Sequence, residues 1–280
     1  MSAIAAFVPI YTIAGFVIGM LVGMTGIGGG SLMTPVLILL FGIHPSVAVG
    51  TDLLHAAVTK TAGSLLHGLS GTIDWRVVRR LTVGSIPMTA VTISALSTVD
   101  INGAAGRELV NTVLAVALVV TAVALVFRDR IVARHAARFD ALTPRQVAVL
   151  TVIIGGVLGA IVSISSVGAG AIGVTCLVLL YPKLPMARII GSDIAHAVPL
   201  TLAAGIGHWL LGSIDLHVVG WLILGSVPGI LFGSYLAIRI PEAALRFVLA
   251  AMLMVVATKL SFGLFPSPSD VVAVRAPASH

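Results

Sequence analysis

Gly50-Thr51-Asp52-Leu53-Leu54-His55 lies in an otherwise apolar segment, and the chain repeats it as Gly191-Ser192-Asp193-Ile194-Ala195-His196. The likeness stays in register downstream. His67 falls with His208, Gly71 with Gly212, Ile73-Asp74 with Ile214-Asp215, and Gly84-Ser85-Ile86-Pro87 with Gly225-Ser226-Val227-Pro228. Upstream, Gly28-Gly29-Gly30 falls with Gly168-Ala169-Gly170 after one residue of slippage. A chain that repeats its charged, histidine and glycine positions in register reads as two copies of one unit. A carboxylate and an imidazole one helical turn apart are costly inside a bilayer, so such a pair points to function.

Of the 280 residues, 58% are hydrophobic and only 9% are charged. Soluble domains carry about 25% charged residues. Asp, Glu, Lys and Arg are absent before Asp52 and between Arg145 and Lys183. Both runs exceed the roughly 20 apolar residues that cross a bilayer. The expected fold class is therefore an all-α polytopic membrane protein. The net charge of +6 sits in short loops, as the positive-inside rule requires, and no basic aromatic face is present, which excludes a nucleic-acid partner. The single cysteine, Cys176, lies in an apolar run, which excludes a disulfide and a cysteine-based metal site. The N-terminus lacks a basic leader region, so its apolar stretch reads as a retained helix. With no lipidation or organelle signal, a bacterial inner membrane is the expected location.

The expected organisation is a first transmembrane repeat at 1–127, a basic cytoplasmic linker at 128–145, a second transmembrane repeat at 146–262 and a disordered tail at 263–280. Each repeat opens with a helix pair broken by glycine. In the first, helix 4–24 meets Gly26-Ile27-Gly28-Gly29-Gly30 and a short piece, 31–43, follows. At 1.5 Å per residue that piece covers about 20 Å, short of a core about 30 Å thick. In the second, helix 146–163 meets Ser165-Ser166-Val167-Gly168-Ala169-Gly170, followed by 171–181. Three further helices complete each repeat: 47–69, 76–98 and 107–127, then 187–210, 217–238 and 242–262. If each broken pair enters and leaves on one side, the repeats are inverted, and the loops at Arg76–Arg80, Lys183–Arg188 and Arg239–Arg246 join the linker in the cytoplasm. A parallel arrangement would put several of these cations outside.

A half-helix that starts inside the membrane presents unpaired N–H groups and a positive dipole end, which attract an anion. Transporters with inverted repeats bind substrate at such breaks near the midplane. The candidate substrate-binding residues are Thr25, Gly26, Gly28, Gly29, Gly30 and Ser31 at the first break, and Ser165, Ser166, Gly168 and Gly170 at the second. Thr51, Ser192 and Lys60 join them. Close helix packing is the competing reading of the glycines. Asp52 with His55, and Asp193 with His196, are candidate proton-coupling or gating pairs. Counted from Val47, His55 lies about 12 Å along its helix, near the midplane. At i, i+3 the carboxylate can orient the imidazole. A structural hydrogen bond is the competing reading. Lys60 has Thr201 as its counterpart, so it is unique to the first repeat; it reads either as counter-charge for an anion or as partner to a carboxylate. His67 and His208 lie near helix ends and read as interfacial. No metal site or cofactor is expected, and no Gly-x-Ser-x-Gly, Walker loop or His-Glu-x-x-His supports an enzyme.

Gly23-Met24-Thr25-Gly26-Ile27-Gly28-Gly29-Gly30 followed by Pro35, with Ala48-Val49-Gly50-Thr51-Asp52 and Gly71-Thr72-Ile73-Asp74-Trp75, resembles the sulfite exporter TauE/SafE family over residues 10–262. The resemblance implies a membrane transporter of small sulfur-containing anions such as sulfite, sulfoacetate or other organosulfonates, in either direction. The second break departs from the first, with Ser166 and Ala169 in place of glycines. Combined with the Asp–His pairs, the expected function is a proton-linked secondary carrier binding a small anionic substrate between the two breaks. The alternatives are an anion channel built on the same breaks, or a non-transporting membrane scaffold. The expected partners are that anion and the lipid bilayer, and the Gly-rich helices are compatible with a homodimer.

Overall fold

The glycines and aspartates that recur in the sequence mark where helices stop and start. The computed structural model describes residues 2–25, 30–100, 103–237 and 242–261, and among these it contains helices and turns but no strand. The helices are α1 (Ser2–Thr25), α2 (Gly30–Leu39), α3 (Pro45–Leu69), α4 (Trp75–Ser97), α5 (Ala104–Asp140), α6 (Pro144–Ser165), α7 (Ala171–Leu180), α8 (Met186–Leu210), α9 (Leu216–Ala237) and α10 (Glu242–Ser261). Most bounds fall within a few residues of expectation. The exception is α5, expected over 107–127. It continues to Asp140, so most of the basic linker is a helical extension. No proline interrupts that stretch. Pro144 then opens α6, where Thr143 and Gln146 form a reciprocal capping box. The tail at 263–280 lies outside the described residues.

The turns that follow the recurring motifs are built alike. Gly71 and Gly212 adopt φ of +65° and +70°, the left-handed conformation in which glycine carries no steric cost. Beyond them the Thr72 N–H reaches the His67 carbonyl and the Ser213 N–H reaches the His208 carbonyl, which closes each helix with a Schellman motif. Asp74 then caps α4 by accepting from the Arg76 and Val77 N–H groups. Asp215 does the same for α9 with His217 and Val218.

Packing pairs α1 with α9, α4 with α6, α5 with α10, and α3 with α8. The first two contacts are made backbone to backbone. Gly15 and Gly19 of α1 abut Leu222 and Ser226 of α9, while Gly155 and Gly159 of α6 abut Leu81 and Ser85 of α4. Gly84 and Gly225 close the same seams from the other side, against the carbonyls of Val152 and Thr12. The Gly15–Gly19 face of α1 is thus occupied within the chain. α5, α6, α8 and α9 each contain a stretch long and apolar enough to cross a membrane. Leu224, Leu231, Phe232, Val91 and Val149 stand exposed on the outside, as suits helices in lipid. At 10 residues each, α2 and α7 extend only about 15 Å and do not span.

Candidate functional site: a buried polar centre

α3 and α8 bring the repeated motifs into the interior. Thr51, Asp52, His55 and Lys60 are buried on α3, and Ser192, Asp193 and His196 on α8. Asp52 Oδ2 accepts from Thr34 twice, from Oγ1 at 2.6 Å and from the backbone N–H at 3.2 Å. Thr34 belongs to the short helix α2, so the carboxylate ties α3 to the half-helix. Asp52 Oδ1 stands 3.8 Å from His55 Nδ1 and has no hydrogen bond. That distance lets the carboxylate orient the ring without a formed hydrogen bond.

The imidazoles reach across the chain. His55 Nε2 lies 2.8 Å from Ser226 Oγ on α9, and His196 Nε2 lies 2.9 Å from Ser85 Oγ on α4. Exchanging α1–α5 for α6–α10 converts one contact into the other. The same exchange relates a second pair: the Asp74 N–H donates to Ser192 Oγ at 2.8 Å, and the Asp215 N–H donates to Thr51 Oγ1 at 3.1 Å. Thr51 and Ser192 therefore hold the start of the opposite capped helix. The recurring Gly-Ser-x-Pro stretch divides its labour in both copies: the glycine admits a neighbouring helix and the serine receives a histidine.

The two aspartates differ. Asp193 Oδ1 presses against Gly173 of α7, where a Cβ would collide with it, and it has no hydrogen-bond partner. His196 Nδ1 is likewise without one, so the Asp193–His196 pair is not hydrogen-bonded through that atom. Lys60 lies where its charge acts on both Asp193 and Asp52 and on His196. It acts on both carboxylates at longer range, the close charged contact among the described residues of this centre being His55 with Asp52.

At the second break, Ser166 ends α6 with φ of +58°, strained for a residue with a side chain. Its hydroxyl is buried and unpartnered. Gly168 takes φ of +111°, and Gly170 precedes the first residue of α7. Ser165 Oγ donates to the Ile161 carbonyl at 2.8 Å and accepts from the Val167 N–H at 3.2 Å. It braces the break. At the first break, Gly26, Gly28 and Gly29 lie outside the described residues, as do the side chains of Thr25 and Ser31; Gly30 is described only as the first residue of α2.

Thr34, Ser85 and Ser226 are partners of the buried aspartate and histidines that the sequence pattern does not single out. The Ser85–Ser226 recurrence was the available signal. His208, expected at the interface from its place near a helix end, is fully buried, with Nε2 2.8 Å from the Ser163 carbonyl. Gly50 and Gly205 let α3 and α8 approach closely, against Ser213 and Leu54, which draws the end of α8 inward. His67 remains partly exposed, 2.8 Å from Thr72 Oγ1.

Apolar helices around a buried polar centre define a multi-pass membrane protein. The sequence matches the sulfite exporter TauE/SafE family over residues 11–260, and the chain belongs to that family. A probable membrane transporter protein of Bacillus subtilis, YjnA, is 36% identical over 249 residues, 88% of this chain and 96% of the relative. Probable membrane transporter proteins of Haemophilus influenzae and Methanocaldococcus jannaschii are 26% and 24% identical, over 92% and 88% of this chain and 95% and 92% of their own lengths. No solved structure matches the chain. The protein is a membrane transporter, not an enzyme.

Proposed function

We propose that the chain is a secondary carrier of a small sulfur-containing anion, either sulfite, sulfoacetate or another organosulfonate, in a bacterial inner membrane. It is built as two inverted repeats, 1–127 and 146–262, joined by the segment 128–145. Substrate binds between the glycine-rich break at Thr25–Ser31 and the break at Ser165–Ala171. There the N-terminus of α7 and the unpartnered Ser166 hydroxyl supply donors for an oxyanion. Lys60 supplies the positive charge, and Asp52, His55, Asp193 and His196 couple or gate. Asp52 Oδ1 and Asp193 Oδ1 both lack a donor, but Asp52 Oδ2 accepts two hydrogen bonds that hold its carboxylate as an anion, which leaves Asp193 as the better candidate to take a proton. An anion arriving beside two carboxylates and one lysine is favoured when one carboxylate is neutral, which links substrate to proton.

The observation that carries this reading is the reciprocal contact of His55 with Ser226 and of His196 with Ser85. Two equivalent links between halves can be exchanged as a carrier alternates its opening, a use that a static scaffold lacks. The test is counterflow of labelled sulfite and sulfoacetate in liposomes under an imposed pH gradient. Saturable counterflow that responds to the gradient is expected, and the double variant His55→Ala/His196→Ala loses that response by about a hundred-fold, the lower end of a typical general acid–base contribution. Non-saturable flux without counterflow would make the protein a channel. Flux unchanged in the double variant would remove the histidines from the coupling.

A further inference from the structure

A second polar feature lies where α4 and α6 begin and α7 ends, apart from the buried centre. A cleft of about 350 Å³ opens there. Its polar wall is Asp74, Arg76, Arg80, Tyr181 and Lys183. Arg80 Nη1 donates to the Tyr181 hydroxyl at 3.1 Å, and that hydroxyl also lies 2.8 Å from Thr151 Oγ1. The guanidinium is thereby anchored rather than left to sweep through solvent. One oxygen of the Asp74 carboxylate caps α4, and Arg76, Arg80 and Lys183 stand along the same wall.

The opposite wall is apolar, with Phe139, Leu142, Val147 and Leu180. Trp75, two-thirds exposed, stands at the start of α4 beside the cleft, the position of an aromatic residue at a membrane–water interface. Orientation by positive charge requires cations in loops. It does not require that they line a walled cleft with a hydrocarbon side. A compact oxyanion would leave most of this volume empty and gain nothing from the apolar wall. We infer that the cleft seats the phosphate of an anionic phospholipid headgroup, with Arg76, Arg80 and Lys183 around the phosphate and the first acyl carbons against Phe139, Leu142 and Leu180. Basic pockets between membrane helices bind anionic lipids by this division of labour. The inference stands independently of the transported substrate.

The test uses the full chain in detergent, titrated with phosphatidylglycerol, with phosphatidylcholine and with inorganic phosphate. Lipid adducts are read by native mass spectrometry and apparent melting temperature is read in parallel, since a ligand of the folded state raises it. Phosphatidylglycerol is expected to be retained and to raise the transition. Arg76→Gln and Lys183→Gln, both at exposed side chains, are each expected to weaken it about five-fold, the worth of one cation near an anionic surface. Arg145→Gln, exposed at the start of α6 but outside the cleft, is expected to leave binding unchanged. The inference is overturned if Arg145→Gln weakens binding as much as Arg76→Gln, or if phosphatidylcholine matches phosphatidylglycerol. It is equally overturned if inorganic phosphate alone reproduces the shift, which would make the cleft a site for a free anion.

Discussion

Ser166 concentrates two costs in one residue. Its backbone is left-handed at φ +58°, and its hydroxyl is buried without a partner. Each costs roughly 1 kcal/mol, against somewhat less for the chain entropy that a glycine adds to the unfolded state. Ser166→Gly, which restores the residue type aligned at Gly26, is therefore expected to raise stability by about 1 kcal/mol. If the hydroxyl serves the substrate, the same change weakens anion binding, so thermal denaturation with and without sulfonate should move in opposite senses. A variant that gains stability and keeps its affinity would remove Ser166 from the site. His44 offers a residue-scale test outside the helices. Arg107 Nε donates to its Nε2 at 3.3 Å, which leaves Nδ1–H to donate to Ser46 Oγ at 2.8 Å. Partial burial, with Arg107 beside it, lowers the His44 pKa below its ordinary 6.5. The folded state thus resists a proton that the unfolded chain accepts. Stability is complete above the unfolded value and falls as pH drops through the lowered one. His44→Gln is expected to flatten that acid limb in pH-dependent melting curves.

At the scale of elements, glycine decides which helices can meet. Adding a methyl at Gly84 or Gly225 drives it into the carbonyl of Val152 or Thr12, and backbone cannot yield as a flexible side chain can. Gly84→Ala and Gly225→Ala are each expected to cost about 3 kcal/mol, the upper part of the overpacking range. Gly220→Ala, with open space at its Cβ, is the matched control and should cost little. Equal losses at all three would show helix flexibility rather than helix contact at work. Seams α1–α9 and α4–α6 carry Ser226 and Ser85, so the same substitutions are expected to displace the partners of His55 and His196 and to reduce transport beyond the loss of folded protein.

At the scale of the molecule, the inverted arrangement predicts that the Asp74 and Asp215 turns face opposite sides of the membrane. In a Cys176→Ala background, Trp75→Cys and His217→Cys should react with an impermeant thiol reagent from opposite sides of sealed vesicles. Labelling from one side would support parallel repeats. Much of this organisation was legible in one dimension, because its causes are local. Apolar runs set the spans, Asp74 and Asp215 cap helices within three residues, and Gly71 and Gly212 end helices by their own φ. The pairing of Asp52 with His55 followed from a single helical turn. What no local pattern carried was which segments meet. That Thr34 of the preceding helix fills Asp52, and that each histidine finds a serine from the other half of the chain, depend on contacts between helices rather than within one. The sequence determined the helices, their ends and the cost of the buried charges. Only the tertiary structure decided how that cost is met, because the groups that meet it lie up to 171 positions away and become neighbours only once the glycine seams have closed.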